Sequence, residues 1–374
     1  MRAGRLGLHL AWLAVLLVSA CAGGAAEPAS TAAATGSPAI GSAATGSPAT
    51  GSPATGQPAT VTPVPSVAAA TIVTATTLPV SGPTSAASAT TPATASAMPQ
   101  PSPPPTTLPD AVLIAAGDIA SCLSSGDEAT AKLVSAISGT VATLGDNAYE
   151  RGSGEEFASC YTPSWGAFKD RIRPAAGNHE YLTPGAQAYF DYFGAAAGAI
   201  GQGYYSYELG AWHVIVLNSQ CWDVGGCGAA APQSQWLKAD LAAHPGRCTL
   251  AYWHTPRFSS GAHGDSPLVQ AFWDELYAAG AEVVLNGHDH DYERFAPQDP
   301  QGQADPARGI REFIVGTGGR SHYPFPGGPH PNTEARNDST FGVLKVTLHS
   351  AGYDWQFVPV AGQTFTDSGS GACH

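Results

Sequence analysis

Short apolar runs alternate with helical patterns between residues 111 and 285. Each of five runs, four to six residues long, is followed within three residues by a polar side chain able to bind a metal ion: 111–116, 140–144, 172–176, 249–253 and 282–285. Runs of this length predict buried strands, and the patterns around 128–137, 234–243 and 267–279 predict helices. Strands separated by helices indicate βαβ units, whose ligands bind at the C-terminal ends of the strands.

Three other segments show the alternation of apolar and polar residues that is typical of hairpins. They are 203–219, 310–316 and 341–359. Because these segments contain few helix signals, we expect them to form a second sheet. The predicted fold class is therefore α/β, a four-layer α/β/β/α sandwich of two stacked mixed sheets flanked by helices.

The first 21 residues have the pattern of an export signal. Arg2 and Arg5 precede an apolar run over 6–17, which is too short to span a membrane comfortably. The run ends at Cys21 in a sequence that resembles a bacterial lipobox, which implies lipid attachment at that cysteine. The alternative is an ordinary cleaved signal peptide with an incidental cysteine.

Residues 22–109 differ in composition from the rest of the chain. This Ala/Thr/Pro/Ser/Gly tract has Glu27 as its single charged residue, so it cannot bury a core, and we predict an extended linker. The remaining residues, 110–374, are enough for one well-packed domain. Without Arg2, Arg5 and Glu27, the 16 basic and 29 acidic residues of the chain become 14 and 28, a formal charge of −14.

This acidic balance bears on possible partners. A domain with twice as many carboxylates as cations lacks a basic face for phosphate backbones, so we expect no nucleic-acid-binding surface. The excess serves solubility, and some of the carboxylates are available to hold cations. The oligomeric state is not indicated by the sequence.

Besides Cys21 the chain has six cysteines, which an exported protein is expected to pair as three disulfides. Cys221 and Cys227 are close enough to close a small glycine-rich loop. Six cysteines allow fifteen pairings, and assigning Cys122 to Cys160 and Cys248 to Cys373 is a guess by elimination. A zinc site is the competing interpretation, although the chain has no CxxC pair.

The polar residues near the strand ends form a donor set of oxygen and nitrogen atoms without thiolates. Such donors suit iron, manganese or zinc, and their number is sufficient for two ions if one carboxylate bridges them. The set consists of Asp118, Asp146, Tyr149, Asn178, His254, His288 and His290.

The order of these motifs resembles the calcineurin-like metallophosphoesterases, and within them the purple acid phosphatases. The general family pattern has a histidine two residues after the first aspartate, where this chain has Ala120; the purple acid phosphatases use instead a tyrosine three residues after the second, where Tyr149 stands. The matching motifs are Gly117-Asp118, Gly145-Asp146-Asn147-Ala148-Tyr149, Gly177-Asn178-His179-Glu180, Trp253-His254 and Gly287-His288-Asp289-His290.

The resemblance implies a dinuclear metal site at the strand ends. A ferric ion would be bound by Asp118, Tyr149 and His290, and a divalent iron, zinc or manganese ion by Asn178, His254 and His288. Asp146 would bridge the two ions. Together such ions activate a water molecule that attacks phosphorus in line, without a phosphoenzyme.

Two histidines are the predicted catalytic residues. His179 is placed to bind the phosphate or protonate the leaving oxygen, or else orients its neighbours; His263 matches a family histidine of similar role, or else is a solvent-exposed loop residue. The expected function is hydrolysis of small phosphate monoesters, with phosphodiesterase or nucleotidase activity as the alternative. A non-catalytic surface lipoprotein is a more remote hypothesis. Contact with a membrane is expected through lipidated Cys21 alone.

Overall fold

The computed structural model describes residues 108–374. The predicted signal at 1–21, the lipobox residue Cys21 and the linker as far as residue 107 lie outside the described residues. Among the helices of residues 108–374, none combines the length and apolar character needed to cross a bilayer.

The described residues form strands and helices close to the predicted positions. The predicted strands 111–116 and 140–144 are observed with those bounds. The helices predicted at 234–243 and 267–279 end where predicted, and their observed starts, Pro232 and Gln270, differ from the predicted starts by two and three residues. In chain order the elements are β1 (Ala111–Ala116), β2 (Ala120–Ser121), α1 (Gly126–Ala136), β3 (Thr140–Leu144), β4 (Ala148–Tyr149), α2 (Gly154–Glu156), β5 (Ile172–Ala175), α3 (Gln187–Phe193), β6 (Tyr205–Leu209), β7 (Trp212–Val216), α4 (Pro232–Ala243), β8 (Thr249–Tyr252), α5 (Gln270–Ala279), β9 (Val283–Asn286), β10 (Tyr292–Phe295), β11 (Arg311–Val315), β12 (Thr333–Asn337), β13 (Gly342–His349), β14 (Gly352–Pro359) and β15 (Ser368–Ala372).

The fold is built on two large mixed sheets, as predicted. The first has the order β15-β14-β13-β1-β3-β5, with β1, β3 and β5 parallel to one another. The second has the order β12-β10-β11-β9-β8-β7-β6, with β7, β8, β9 and β11 parallel. Strands β2 and β4 form a short, separate parallel pair.

The prediction that 341–359 belongs to the second sheet is wrong. These residues form the hairpin β13-β14, and β13 pairs antiparallel with β1. Strand β1 is apolar and has β3 on one side, so its other edge must also be paired when it is buried. Alternation along 341–359 identified the strands but could not identify the edge they join.

The core follows from the alternation of side chains along each strand. In the second sheet Tyr252 and Leu285 face the same apolar cluster as Leu113 of the first sheet, whereas Ala251 and Val284 face the opposite way. Helices α4 and α5 cover that outer face with Leu237, Phe272, Trp273 and Leu276. Helix α1 packs against β13 of the first sheet through Ala131 and Val134, so helices flank both sheets, in agreement with the predicted fold class.

All six cysteines of the described residues form disulfides, with the pairs Cys122–Cys160, Cys221–Cys227 and Cys248–Cys373. The third pair joins the residue before β8 in the second sheet to the residue after β15 in the first. The guessed pairing is therefore confirmed, and these cysteines are not zinc ligands.

Candidate metal centre

The candidate ligands follow the C-terminal ends of strands from both sheets. Asp118, Asp146 and His288 have left-handed backbone conformations, with φ of 59°, 49° and 76°. Residues other than glycine adopt this region at a cost, and such strain is concentrated at functional sites. Gly145 precedes Asp146 with φ of 88°, and a Cβ there would lie 2.6 Å from Nδ1 of His254. Glycine therefore lets the β3 loop approach the histidine of the other sheet.

One half of the centre is built around the phenol of Tyr149. Its oxygen lies 2.8 Å from Oδ1 of Asp118, 2.9 Å from Oδ2 of Asp146 and 3.1 Å from Nε2 of His290. One phenol proton can satisfy one of these groups at a time. Burial, and then the charge of Asp118, raise the pKa of Tyr149 well above its usual value. This excess of acceptors is the arrangement that a bound cation would balance.

The other half is built around His254. Its Nδ1 lies 2.9 Å from the carbonyl oxygen of Leu144, so Nδ1 carries the donated proton and Nε2 points into the centre. Nε2 lies 3.0 Å from Oδ1 of Asn178, 3.2 Å from Nδ1 of His288 and 3.3 Å from Oδ2 of Asp146. Asn178, His288 and Asp146 all direct lone pairs at this point, and too few protons are available to form hydrogen bonds with all of them.

The electrostatics of the two histidines differ. Burial opposes the charged form of His254, but the Asp146 carboxylate raises the pKa of that histidine to about 10. Burial, and then the charges of His254 and His263, lower the pKa of His288 to about 4. His288 is therefore neutral and offers a lone pair, and a cation could replace the proton on His254. Asp146 lies between both halves, as a bridging ligand must.

All seven predicted ligand side chains thus lie together, and their donor types fit two ions of the predicted kinds. Their role as metal ligands remains a prediction. Asp118, Asp146 and His254 already place three potential ligand atoms within 4.8 Å of one another.

The two predicted catalytic histidines lie at the edge of this centre. His179 donates its backbone N–H to Oδ1 of Asp146 at 2.9 Å, and its ring Nε2 lies 3.8 Å from Oδ2. The ring of His263 packs on that of His288, with centroids 4.2 Å apart. His263 is 43% exposed, so it is neither remote from the centre nor enclosed by it.

The motif Gly177-Asn178-His179-Glu180 contains a residue, Glu180, to which the sequence alone assigned no role. The Glu180 side chain is fully buried and accepts the backbone N–H groups of Asp146, Asn147 and Gly177 at 3.0, 2.8 and 2.7 Å. Burial, and then the charge of Asp146, raise its pKa to about 7. Glu180 therefore joins the loops after β3 and β5, and its position next to His179 was the available signal.

Sequence reasoning also missed the segment 320–323. Arg320 donates its backbone N–H to the carbonyl oxygen of Asp118 and binds Glu150 through Nη2 at 2.8 Å. Ser321 lies 2.8 Å from Nδ1 of His290, and the ring of Tyr323 stacks on His290 with centroids 4.1 Å apart. These residues have no periodic pattern, so only the folded chain brings them to the centre.

A second group of residues that could bind a metal lies at the start of β7, away from the C-terminal strand ends where the candidate metal centre lies. Both ring nitrogens of His213 are bonded there, to Glu208 at 2.9 Å and to Asp240 at 2.7 Å. The ring of His244 is stacked on that of His213 at 3.9 Å and 17°, so their in-plane lone pairs run nearly parallel and cannot converge on one ion. We interpret this group as an ion-pair network.

Two stacked mixed sheets with an oxygen and nitrogen donor centre at their shared edge define a metallophosphoesterase type of α/β protein. The chain belongs to the calcineurin-like phosphoesterase family, whose family model matches residues 103–292. The expected resemblance is thereby confirmed.

Curated relatives with detectable similarity include purple acid phosphatases of Arabidopsis thaliana. Purple acid phosphatase 15 is 30% identical over 149 residues, which are 35% of this chain and 27% of the relative; purple acid phosphatase 22 is 28% identical over 223 residues, 50% and 48% of the two chains. The chain thus spans less than half the length of these relatives. A purple acid phosphatase structure from yellow lupin (Lupinus luteus) seeds superposes with a TM-score of 0.58 at 16% identity, covering 72% of this chain and 55% of the other.

Proposed function

We propose that this protein hydrolyses phosphate monoesters at a dinuclear metal centre, as an acid phosphatase. The observation that carries the proposal is the convergence of Asp118, Asp146 and His290 on the single hydroxyl of Tyr149. The family membership supports ester hydrolysis, and the tyrosine supports the purple acid phosphatase type.

Each half of the centre would hold one ion. Asp118, Tyr149 and His290 would bind ferric iron, because a phenolate is a strong donor to a trivalent ion. Asn178, His254 and His288 would bind divalent iron, zinc or manganese, with Asp146 shared. The ions would supply an activated water nucleophile and neutralise charge on the phosphate.

The histidines at the edge would act on the substrate directly. His179 is fixed through its backbone and by Nδ1, which lies 2.6 Å from the carbonyl oxygen of Glu150. Its Nε2 is left to face a phosphate oxygen, to which it would donate in the imidazolium form. His263 has its Nδ1 on Asp289 and would give its second N–H to the leaving oxygen. Small phosphorylated molecules are the proposed substrates, and both histidines are exposed enough for such a molecule to reach them.

The test combines colour, metal content and turnover of the purified full chain. We expect two metal ions per chain, a visible phenolate-to-iron absorption band and hydrolysis of p-nitrophenyl phosphate. Tyr149→Phe should lose the band, whereas Tyr181→Phe, which changes a tyrosine outside the donor set, should keep it. Metal content and turnover without a visible band would remove the ferric tyrosinate assignment.

The ester type needs its own comparison. A monoester such as p-nitrophenyl phosphate and the diester bis(p-nitrophenyl) phosphate have the same leaving group, so their kcat/KM ratio reports the preference of the site. We expect the monoester to be favoured. Preference for the diester would replace the proposal by the phosphodiesterase alternative, and absence of both metal and turnover would favour a non-catalytic lipoprotein.

We further propose that the protein is exported and anchored to the bacterial cell membrane through Cys21. Three disulfides among the remaining cysteines support an oxidising compartment. Mass spectrometry of the mature N-terminus should find a lipidated Cys21, and Cys21→Ser should release the protein from the membrane fraction. An unmodified residue at position 21, or a membrane-bound serine variant, would contradict the anchor.

A further inference from the structure

A buried carboxylate lies between two predicted ligands and contacts neither metal half through its side chain. Asp289 separates His288 from His290 in sequence, and its side chain is fully buried. One oxygen, Oδ1, accepts both the backbone N–H of His263 at 2.9 Å and the ring Nδ1–H at 2.8 Å. The other oxygen, Oδ2, accepts the hydroxyl of Ser259 at 2.5 Å.

The loop at 259–263 is folded around this carboxylate. A Cβ on Gly261 would lie 2.2 Å from Cγ of Asp289, so the loop backbone passes directly over the carboxyl group. The Gly261 N–H also donates to the Ser259 hydroxyl at 2.9 Å. Asp289 therefore determines both the path of this loop and the position of His263 on it.

From these contacts we propose that Asp289, supported by Ser259, is a positioning residue that holds His263 as the proton donor to the leaving group. The inference rests on the proposed function, because it needs a phosphate ester at the centre. It adds a role for a residue that the ligand set leaves unused, and it makes the 259–263 loop part of the reaction.

The geometry leaves one nitrogen of His263 for this role. Because Nδ1 donates to Asp289, the only nitrogen free to reach substrate is Nε2. The ring packs against His288 on one side and Tyr323 on another, with centroids 4.2 and 5.8 Å apart. A carboxylate behind an imidazole fixes its tautomer and orientation, as in hydrolase triads.

As the bond from phosphorus to the leaving oxygen breaks, its electron pair stays on that oxygen, which takes the proton from Nε2 of His263. Water supplies the new oxygen on phosphorus, and the products are an alcohol and inorganic phosphate. The proton that the water gives up is released to solvent, and His263 takes one proton from solvent to return to its starting form.

The experiment compares leaving groups in the metal-loaded full chain. An alkyl phosphate such as glycerol 2-phosphate has a poor leaving group that needs a proton, whereas p-nitrophenyl phosphate has a good one that does not. We expect Asp289→Asn to lower kcat for glycerol 2-phosphate roughly 10- to 100-fold and kcat for p-nitrophenyl phosphate by less than about threefold, with KM unchanged.

Two further variants separate positioning from folding. Asp354→Asn is the matched control, since Asp354 also pairs with a histidine, His349 at 3.1 Å, but lies on β14 and not beside the 259–263 loop. It should change neither rate. Ser259→Ala keeps the carboxylate and should give a smaller loss with the same leaving-group dependence, so a poorly folded Asp289→Asn leaves the inference testable.

The double variant tests whether the aspartate acts through the histidine. If it does, adding Asp289→Asn to His263→Ala should lower kcat for glycerol 2-phosphate no further, which is the non-additivity expected of coupled residues. Additive losses would overturn the inference, as would equal losses for both leaving groups or release of metal by Asp289→Asn. A wild-type chain that hydrolyses no ester would instead refute the proposed function.

Discussion

The carboxylate of Glu180 should be a principal support of the centre, and its removal is the most demanding test of the structure. In Glu180→Ala the N–H groups of Asp146, Asn147 and Gly177 lose their acceptor inside the protein. A fourth N–H, that of Ala148 at 3.4 Å, is a weaker contact and is left out of the magnitude.

The loss of stability comes from the three N–H donors that no longer have an acceptor. A buried N–H without a partner costs about 1–3 kcal/mol, so three of them give about 3–9 kcal/mol. Water entering the vacated volume would satisfy part of this demand, and we expect about 4 kcal/mol. A domain is typically stable by about 5–15 kcal/mol, and at about 2–4 °C per kcal/mol the melting temperature should fall by roughly 8–16 °C.

Glu180→Gln removes the charge of the side chain but keeps its size and shape. Oε1 accepts from Asn147, and Oε2 accepts from both Asp146 and Gly177. One amide oxygen can serve one of these sides, while the amide nitrogen would face N–H donors on the other. We therefore expect about half the loss, or about 2 kcal/mol.

The assay is urea and thermal unfolding of the purified chain, combined with metal content. Glu155→Gln is the control, because Glu155 is exposed. This substitution should change the free energy of unfolding by less than about 0.5 kcal/mol. Metal binding should weaken in Glu180→Ala, since the Asp146 turn loses its anchor. Unchanged melting temperature and full metal content in that variant would refute the reasoning.

Three further predictions follow from other parts of the structure. Asp146→Asn should lose both ions and hydrolysis together, because its Oδ2 lies between the halves, and one ion retained with wild-type affinity would argue against a bridge. Removing Cys248–Cys373 should cost about 5 kcal/mol and removing Cys221–Cys227 about 2 kcal/mol, measured by urea unfolding of paired serine variants, because the closed loops differ so much in length. Although burial opposes it, Asp240 and Glu208 raise the pKa of His213 in the folded state. Its stabilisation is then complete below the unfolded pKa near 6.5 and is lost as pH rises through the folded value, so the stability difference between wild type and His213→Gln should shrink from pH 6 to pH 9.

The sequence predicted most of the fold because strand identity is a local property. The runs at 111–116 and 140–144 are apolar and bounded by glycine, and no tertiary information is needed to recognise them. Sheet membership is different. Strand β13, which pairs with one edge of β1, begins more than 200 residues further along the chain, so alternation at 341–359 was compatible with either sheet.

The same division holds for the site. The seven ligand candidates could be listed from the sequence because each stands at or shortly after the end of a strand or in a short motif with it, and strand ends gather at one edge. Their mutual contacts, and the roles of Glu180, Asp289 and the segment 320–323, depend on which loops meet. By itself the sequence determined the strands, the donor types and the family; only the tertiary structure decided which groups share a proton, because hydrogen bonding depends on distances between residues that are remote in the chain.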